Sequence, residues 1–348
     1  MNAFSSRFPS DDRKSAIQNP KLVGIVTIVL TLVFGGAVGE AQQMKKIFRI
    51  GFLDSSTASG SAVLMAAFRQ ELSKLGWIEG RNIAIEYRFT ESKGIERLPE
   101  LAADLVRLKV DLIVATDTPS AMAAKNSTQA IPIVMANVGD PVGSGLVSSL
   151  ARPGGNITGN ASLTPELNSK RLEVLKDVVP RLARVGVLRG SRSGGSGEVQ
   201  FKELRPAAVA LKLTLEEIKT QPDLKGLESA FQTAKQKQVD AIMTQSTRPF
   251  FAERKRIVEL AVKYRLPAIY FQDDFVEAGG LMSYGADFED LYRRAAVYVD
   301  KILKGAKPGD LPVQQATKFE FVINLKAAKQ IELTIPPRVL ERANKVVK

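Results

Sequence analysis

The sequence predicts an α/β protein built as two lobes, each a doubly wound parallel sheet flanked by helices. Three observations carry this. From Lys45 onward, short apolar runs alternate with amphipathic stretches, the pattern of successive βαβ units. Runs such as Leu112–Ala115 and Ile131–Met135 are continuously apolar, as strands covered by helices on both faces must be. One supersecondary unit is also written twice. LAADLVRLKVDLIVATDTPSAMAAK, starting at Leu101, is echoed by LESAFQTAKQKQVDAIMTQSTRPFFAERK, starting at Leu227. Val110-Asp111 matches Val239-Asp240, and Ile131-Pro132 matches Leu266-Pro267.

The elements follow in order. Ile47–Leu53 reads as the first strand. Leu64, Phe68, Leu72 and Leu75 recur at helical spacing and mark one buried helix face. Ile83–Tyr87 alternates like a strand, and Leu98, Leu101, Leu105 and Leu108 mark the next helix. The two apolar strands at Leu112 and Ile131 complete the first set, and a break falls near Asn160–Thr164. The alternation then restarts with strands at Val185–Leu188, Leu213–Ile218, Ala241–Met243 and Ala268–Phe271. Helices near Val199–Leu211, Leu224–Lys237 and Arg254–Tyr264 separate them.

The 348 residues suffice for two domains and a buried core without a metal or disulfide staple. Cysteine and histidine are both absent. Their absence removes thiolate chemistry, Fe–S clusters, Cys/His zinc sites and every Ser-His-Asp arrangement. No acidic spacing matches a calcium loop, no P-loop is present, and Gly143-Ser144-Gly145 lacks the third glycine of a dinucleotide fingerprint. No cofactor and no metal are expected. The formal charge is +12, but Lys and Arg are scattered along helix faces and aromatics do not interleave with them. A solvated basic surface is expected, not a nucleic-acid interface.

Leu22–Gly39 is one uncharged apolar run, preceded by Arg7, Arg13, Lys14 and Lys21, with the small residues Ala37 and Gly39 at its end and Ala41 after it. This order reads as a signal peptide over residues 1–41, cleaved after Gly39 or Ala41. A retained anchor is the alternative, since the run is near the lower limit for a span. Cleavage removes four basic and three acidic residues and leaves +11. An exported, cysteine-free chain suits the periplasm.

Thr118-Pro119, Asp140-Pro141 and Thr164-Pro165 read as helix starts, each with an N-cap before a proline at N1. In an open parallel sheet, strand C-termini and helix N-termini share the edge where ligands bind. Free N–H groups at Ser120 and Ala121 would face an anion, and Asp140 would face a cation. Thr118 and Asp140 are read equally as plain caps or as ligand contacts. Asp54-Ser55-Ser56 follows the first strand. Arg189-Gly190-Ser191 and Gln245-Ser246-Thr247 occupy matching strand ends in the second lobe, with Asp274 and Tyr284 near the later ones. The candidate ligand-binding residues are therefore Asp54, Ser55, Ser56, Thr118, Ser120, Asp140, Ser191, Ser246 and Asp274. No catalytic residue is assigned.

Five ordered segments carry a family resemblance: AFRQELSKLGWIEGRNIAIEYR; RLPELAADLVRLKVDLIVATDTPSAMAAK; IPIVMANVGDPVGSGLVSSLARPGGNITG; LPAIYFQDDFVEAGGLMSYGAD; and LYRRAAVYVDKILKGAKPGDLPVQQATKFEFVINLKAAKQI. From about Phe48 to the C-terminus, the chain resembles the ABC-transporter substrate-binding proteins whose characterised members include tryptophan and tyrosine binders. The resemblance implies a type I periplasmic-binding-protein fold with a three-segment hinge, crossing near Ala161–Thr164, Tyr284–Ala286 and Ala316–Lys318. The implied N-terminal lobe is 42–162 plus 286–316, and the C-terminal lobe is 163–285 plus 317–348. The family's binding positions map best onto Ser55, Thr118, Ser120 and Asp140. The chain departs from its relatives twice, both times at the pocket. RGSRSGGSG stands in place of an Asn-Pro-rich segment, and QSTRP replaces a frequent Asp-Pro pair.

The leading functional expectation is a periplasmic solute-binding component of an ABC importer. It would capture an amino acid or related carboxylate between its lobes and deliver it to a permease with its ATPase. A monomer is expected, meeting the membrane only through the permease or an uncleaved anchor. A ligand-sensing module for a membrane receptor is the alternative, and a sugar-modifying hydrolase a third reading.

Overall fold

The structure is a computed structural model that describes residues 46–91, 93–191 and 194–348. The signal peptide or anchor assigned to residues 1–41 lies outside the described residues. Among the described residues, no helix is long and apolar enough to cross a membrane.

The first lobe opens with β1 (Phe48–Asp54), α1 (Ala62–Lys74), β2 (Ile83–Phe89), α2 (Leu98–Arg107), β3 (Leu112–Ala115), α3 (Thr118–Ser127), β4 (Ile133–Val138) and β5 (Ile157–Ala161). The second continues with α4 (Thr164–Val178), β6 (Arg184–Gly190), α5 (Gly194–Ala210), β7 (Thr214–Thr220), α6 (Leu224–Gln236) and β8 (Ala241–Thr244). It then runs through α7 (Arg248–Ala252), α8 (Arg254–Lys263), β9 (Ala268–Tyr270), α9 (Asp274–Glu277) and β10 (Met282–Ala286). Helix α10 (Phe288–Leu303) packs back on α1, β4 and β5, and β11 (Gln314–Gln315) joins the first sheet beside β5. The chain ends with β12 (Phe319–Asn324), α11 (Leu325–Gln330), α12 (Pro337–Leu340) and β13 (Lys345–Val347).

Two sheets result. One has six strands in the order β11-β5-β4-β3-β1-β2, and the other seven in the order β13-β12-β10-β9-β8-β6-β7. Every pairing is parallel except β10 with β12. The buried runs of β3 and β4 form the centre of the first sheet, as their uninterrupted apolarity requires.

The outer face of the first sheet packs Leu53, Ile113, Ile133 and Met135 against Leu101 and Leu105 of α2 and Ala121 and Ala124 of α3. The outer face of the second packs Val187, Met243 and Ile323 against Leu172, Leu175 and Val178 of α4. A third apolar cluster runs through both inner faces, from Ile50, Phe52 and Phe68 by way of Tyr292 to Phe250, Phe271 and Ile242. Trp77, the single tryptophan, meets Phe48 edge-on and donates its indole N–H to Asp300 Oδ1 on α10 at 2.8 Å.

The break expected near Asn160–Thr164 is in fact strand β5 followed directly by a helix. ITGNA looks too polar for a buried strand, yet all five residues are buried. Thr158 Oγ1 donates to the Leu311 carbonyl and Asn160 Nδ2 to the Leu291 carbonyl. The returning segment thus satisfies Thr158 Oγ1 and Asn160 Nδ2, two of the polar groups that made the strand look improbable.

Candidate functional site

A cavity of about 130 Å³ lies between the C-terminal edges of the two sheets. From the first lobe it receives Ser55, Ser56, Asp117, Thr118, Asn137 and Ser162. Gly190, Gln221, Asp223 and Ser246 to Pro249 reach it from the strand ends of the second. Both edges are where an open parallel sheet leaves its strand tips and helix N-termini free to meet a ligand.

The first-lobe edge is built from carboxylates that hold its loops. Asp54 is fully buried; its Oδ1 accepts the Ser56 N–H at 2.9 Å and its Oδ2 accepts the Ser61 hydroxyl at 2.7 Å. Asp117, which sequence reading passed over, is the true N-cap of α3. Its Oδ1 accepts the Ser120 N–H at 2.9 Å, its backbone carbonyl accepts the Ala121 N–H, and its Oδ2 accepts the Ser55 hydroxyl. The cap therefore falls one residue before Thr118, and the N–H groups expected to be free for an anion are already occupied. Burial pushes the Asp117 carboxyl up, with the neighbouring Asp54 adding to that, while the bonds from Ser120 and Ser55 pull the other way. Ser56 Oγ and Asn137 Oδ1, both buried, have no hydrogen-bond partner among the described residues.

The other two expected helix starts also differ. Asp140 begins a series of turns, not a helix; it is exposed, and its Oδ1 accepts the Val142 and Gly143 N–H groups. Thr164 is the first residue of α4, not its cap, and shares a hydrogen bond with Ser162 at 3.0 Å. The residue before it, Leu163, sits at φ 56°, a left-handed conformation that branched side chains avoid.

The second-lobe edge is dominated by one residue, Arg248 at the start of α7. Its side chain is 2% exposed and that of Asp54 is 0%. Arg248 Nη2 donates to Ser61 Oγ at 2.8 Å and lies 3.5 Å from Asp54 Oδ2, both in the first lobe. Its guanidinium stacks 4.9 Å from the Phe251 ring centroid and 6.0 Å from that of Tyr292 on α10. Burial alone would lower its pKa; Tyr292, Asp54 and Asp117 outweigh that and raise it. Nε and Nη1 have no partner among the described residues. Nearby, the buried Arg171 donates from Nη1 to Ser246 Oγ at 3.0 Å and from Nε to the Tyr284 carbonyl at 2.6 Å. Burial pulls the Arg171 guanidinium down to about 9.

Of the nine residues singled out from sequence, Ser55, Ser56, Thr118 and Ser246 line the cavity. Asp54 and Ser120 stand directly behind its first-lobe wall through the contacts above. Ser191 is exposed beside the lining residue Gly190, and Asp274 lies in a separate cavity, 3.9 Å from Arg254. Asp140 neighbours the lining residue Gly139.

The profile of ABC transporter substrate binding proteins matches residues 60–347. The chain belongs to that family. It is 29% identical over 268 residues to a tyrosine-binding protein of Clostridioides difficile (strain R20291), covering 76% of this chain and 75% of that protein. The ABC domain of a Streptococcus pneumonia protein in complex with L-Trp superposes with a TM-score of 0.76 at 27% identity, over 87% of this chain and 100% of that one. A ligand-free, open substrate binding protein with adhesive properties from Clostridium difficile gives a TM-score of 0.59 at 25% identity, over 87% and 99%.

As a substrate-binding protein of an ABC transporter, the chain binds a solute and performs no chemistry on it. The cavity is lined by a carboxylate from one lobe, Asp117, and a guanidinium from the other, Arg248. Arg248 is buried, where a charge without an opposite partner is costly, and Asp117 is half-buried.

Proposed function

We propose that the cleft holds a zwitterionic α-amino acid, with its ammonium against Asp117 and its carboxylate against the unpartnered N–H groups of Arg248. The observation that carries this reading is the placement of two oppositely charged side chains, the half-buried Asp117 and the buried Arg248, on facing lobes of one cavity. A zwitterion bridges them, and its binding favours the closed arrangement that brings them together. Ile95, Pro119, Pro222 and Phe250 give the cavity an apolar part for the ligand side chain. The tyrosine and L-Trp named for two relatives make aromatic amino acids the first candidates. The stronger likeness to the L-Trp complex than to the open, ligand-free relative supports a closed lobe arrangement.

In this reading the lobes are 42–162 plus 286–316 and 163–285 plus 317–348, hinged at the three crossings. The chain is exported to the periplasm by its N-terminal segment and works as a monomer that docks on an ABC permease with its ATPase.

Calorimetry with L-tyrosine, L-tryptophan and a panel of other amino acids tests the proposal, alongside tyramine and 3-(4-hydroxyphenyl)propionate. These two analogues each lack one of tyrosine's charges. Binding of an amino acid with loss of at least tenfold for the matching single-charge analogues is expected. Equal affinity for an analogue, or no binding by any amino acid, overturns it.

A further inference from the structure

The start of α1 in the first lobe meets α7 of the second with almost no gap. Gly60, just before α1, is buried, and a Cβ built on it would lie 2.6 Å from the Ala252 Cβ at the end of α7. Gly60 has no positive φ, so its backbone is open to any L side chain. Space, not backbone conformation, requires a glycine there. The built Cβ also lies 3.0 Å from Ser56 Oγ and from Thr57 Oγ1. Those hydroxyls can rotate to another staggered position. The Ala252 methyl is fixed to the helix backbone and cannot. Non-bonded carbons rest about 3.5–4.0 Å apart, so a methyl at position 60 would push α7 back by about 1 Å.

That displacement reaches the cleft through one helix. Arg248 and Ala252 are i and i+4 on α7 and share a face. Their partners in the first lobe are consecutive: Ala252 meets Gly60, and Arg248 Nη2 donates to Ser61 Oγ at 2.8 Å. Phe250 and Phe251, on the same helix, are fully buried, so α7 has no room to roll and carries the shift to Arg248. A retreat of about 1 Å takes the bond to Ser61 out of hydrogen-bond range. It also lengthens the 3.5 Å approach of Arg248 to Asp54.

We propose that Gly60 is a positioning residue for solute binding: lacking a side chain, it lets α7 seat against the start of α1 and so sets Arg248 in the cleft. The seam is made of protein groups alone, so it favours the closed arrangement with or without a solute. The loss of affinity predicted below rests on the reading of Arg248 as a solute contact, whereas the seam does not.

Small-angle X-ray scattering and thermal denaturation of the full chain without added solute test this, together with calorimetric titration by L-tyrosine. Gly60→Ala weakens the closed arrangement relative to the open one. It should scatter as a more open particle than the parent, melt a few degrees lower, and bind L-tyrosine about tenfold more weakly. Adding Ala252→Gly removes the opposing methyl and should reverse all three changes, returning L-tyrosine affinity to within about threefold of the parent's. Ala252→Gly alone should lower the melting temperature, because glycine weakens a helix. The sign of its effect therefore depends on residue 60, which a simple loss of helix stability does not produce. Parent-like scattering and melting for Gly60→Ala, or losses that Ala252→Gly leaves unrepaired, overturn the proposal. Failure of the parent to bind L-tyrosine counts against the amino-acid reading instead, and the solute-free scattering and melting of the variants still decide the role of Gly60.

Discussion

The two edges of the solute cleft are made differently. On the first-lobe side, each carboxylate is tied into its own lobe. Asp54 holds the Ser56–Ser61 loop, and Asp117 caps α3 and receives Ser55. On the second-lobe side, Arg248 has no ion pair within its own lobe among the described residues; its counterion is Asp54, in the first. The first-lobe carboxylates are therefore hydrogen-bonded within their own lobe, whereas the Asp54–Arg248 charge pair forms only where the lobes meet. Specificity and closure thus share a residue: whatever disturbs Arg248 disturbs both.

The largest test of that contrast is Arg248→Ala. It leaves the buried Asp54 without its counterion, and removing one member of such a pair typically costs about 3–5 kcal/mol. Thermal or urea denaturation should show that destabilisation, and L-tyrosine binding should fall below detection. Asp54→Asn combined with Arg248→Gln should recover part of the stability, and a double-mutant cycle reads the coupling. Strictly additive effects of the two single changes would show that the side chains act independently.

Asp117→Asn comes next. Removing the charge opposite the ammonium should weaken amino-acid binding on the order of tenfold to a hundredfold, with little effect on the fold. The pH dependence has a definite sign. The Asp117 carboxyl is raised in the folded state, so the folded protein holds its proton to higher pH than the unfolded chain does. Its contribution favours folding at low pH and fades as pH rises through the folded value. Amino-acid affinity should run oppositely and strengthen over that range as the carboxylate forms. Calorimetry across pH on parent and Asp117→Asn separates the two trends.

A smaller effect is expected outside the cleft. Burial lifts Asp274 to about 6, with Asp273 adding to it and Arg254 opposing it. Asp274→Asn should therefore raise stability at neutral pH by about 1–3 kcal/mol and change it little at about pH 4, where the parent carboxyl is protonated. Melting temperatures at the two pH values check this. The smallest effects should come from Ser191→Ala and Asp140→Asn. Both side chains sit beside the cavity without lining it, so L-tyrosine affinity should stay within about twofold, near the ordinary scale of surface changes. A tenfold weakening at either would move the cleft's boundary outward.

The alternation of buried strands and amphipathic helices was legible because burial on both sheet faces leaves an unbroken apolar run, as in Leu112–Ala115. The first-lobe edge was partly legible for a related reason: Asp54-Ser55-Ser56 follows its strand directly. Asp117 was missed because Thr118-Pro119 imitates a cap followed by proline, and only the extended backbone of Asp117 sets the register. Arg248 had no local signal. QSTRP marks a departure from relatives, but the burial of its arginine depends on Asp54, far upstream in the chain. Local pattern specifies elements, whereas charge pairing across lobes is written only in three dimensions.

The bond between Trp77 and Asp300 has a practical consequence. It fastens the chain's single indole to the helix that returns from the second sheet, so native emission carries an optical record of how firmly that helix is seated. Stopped-flow experiments on unlabelled protein can follow its loosening without any engineered dye.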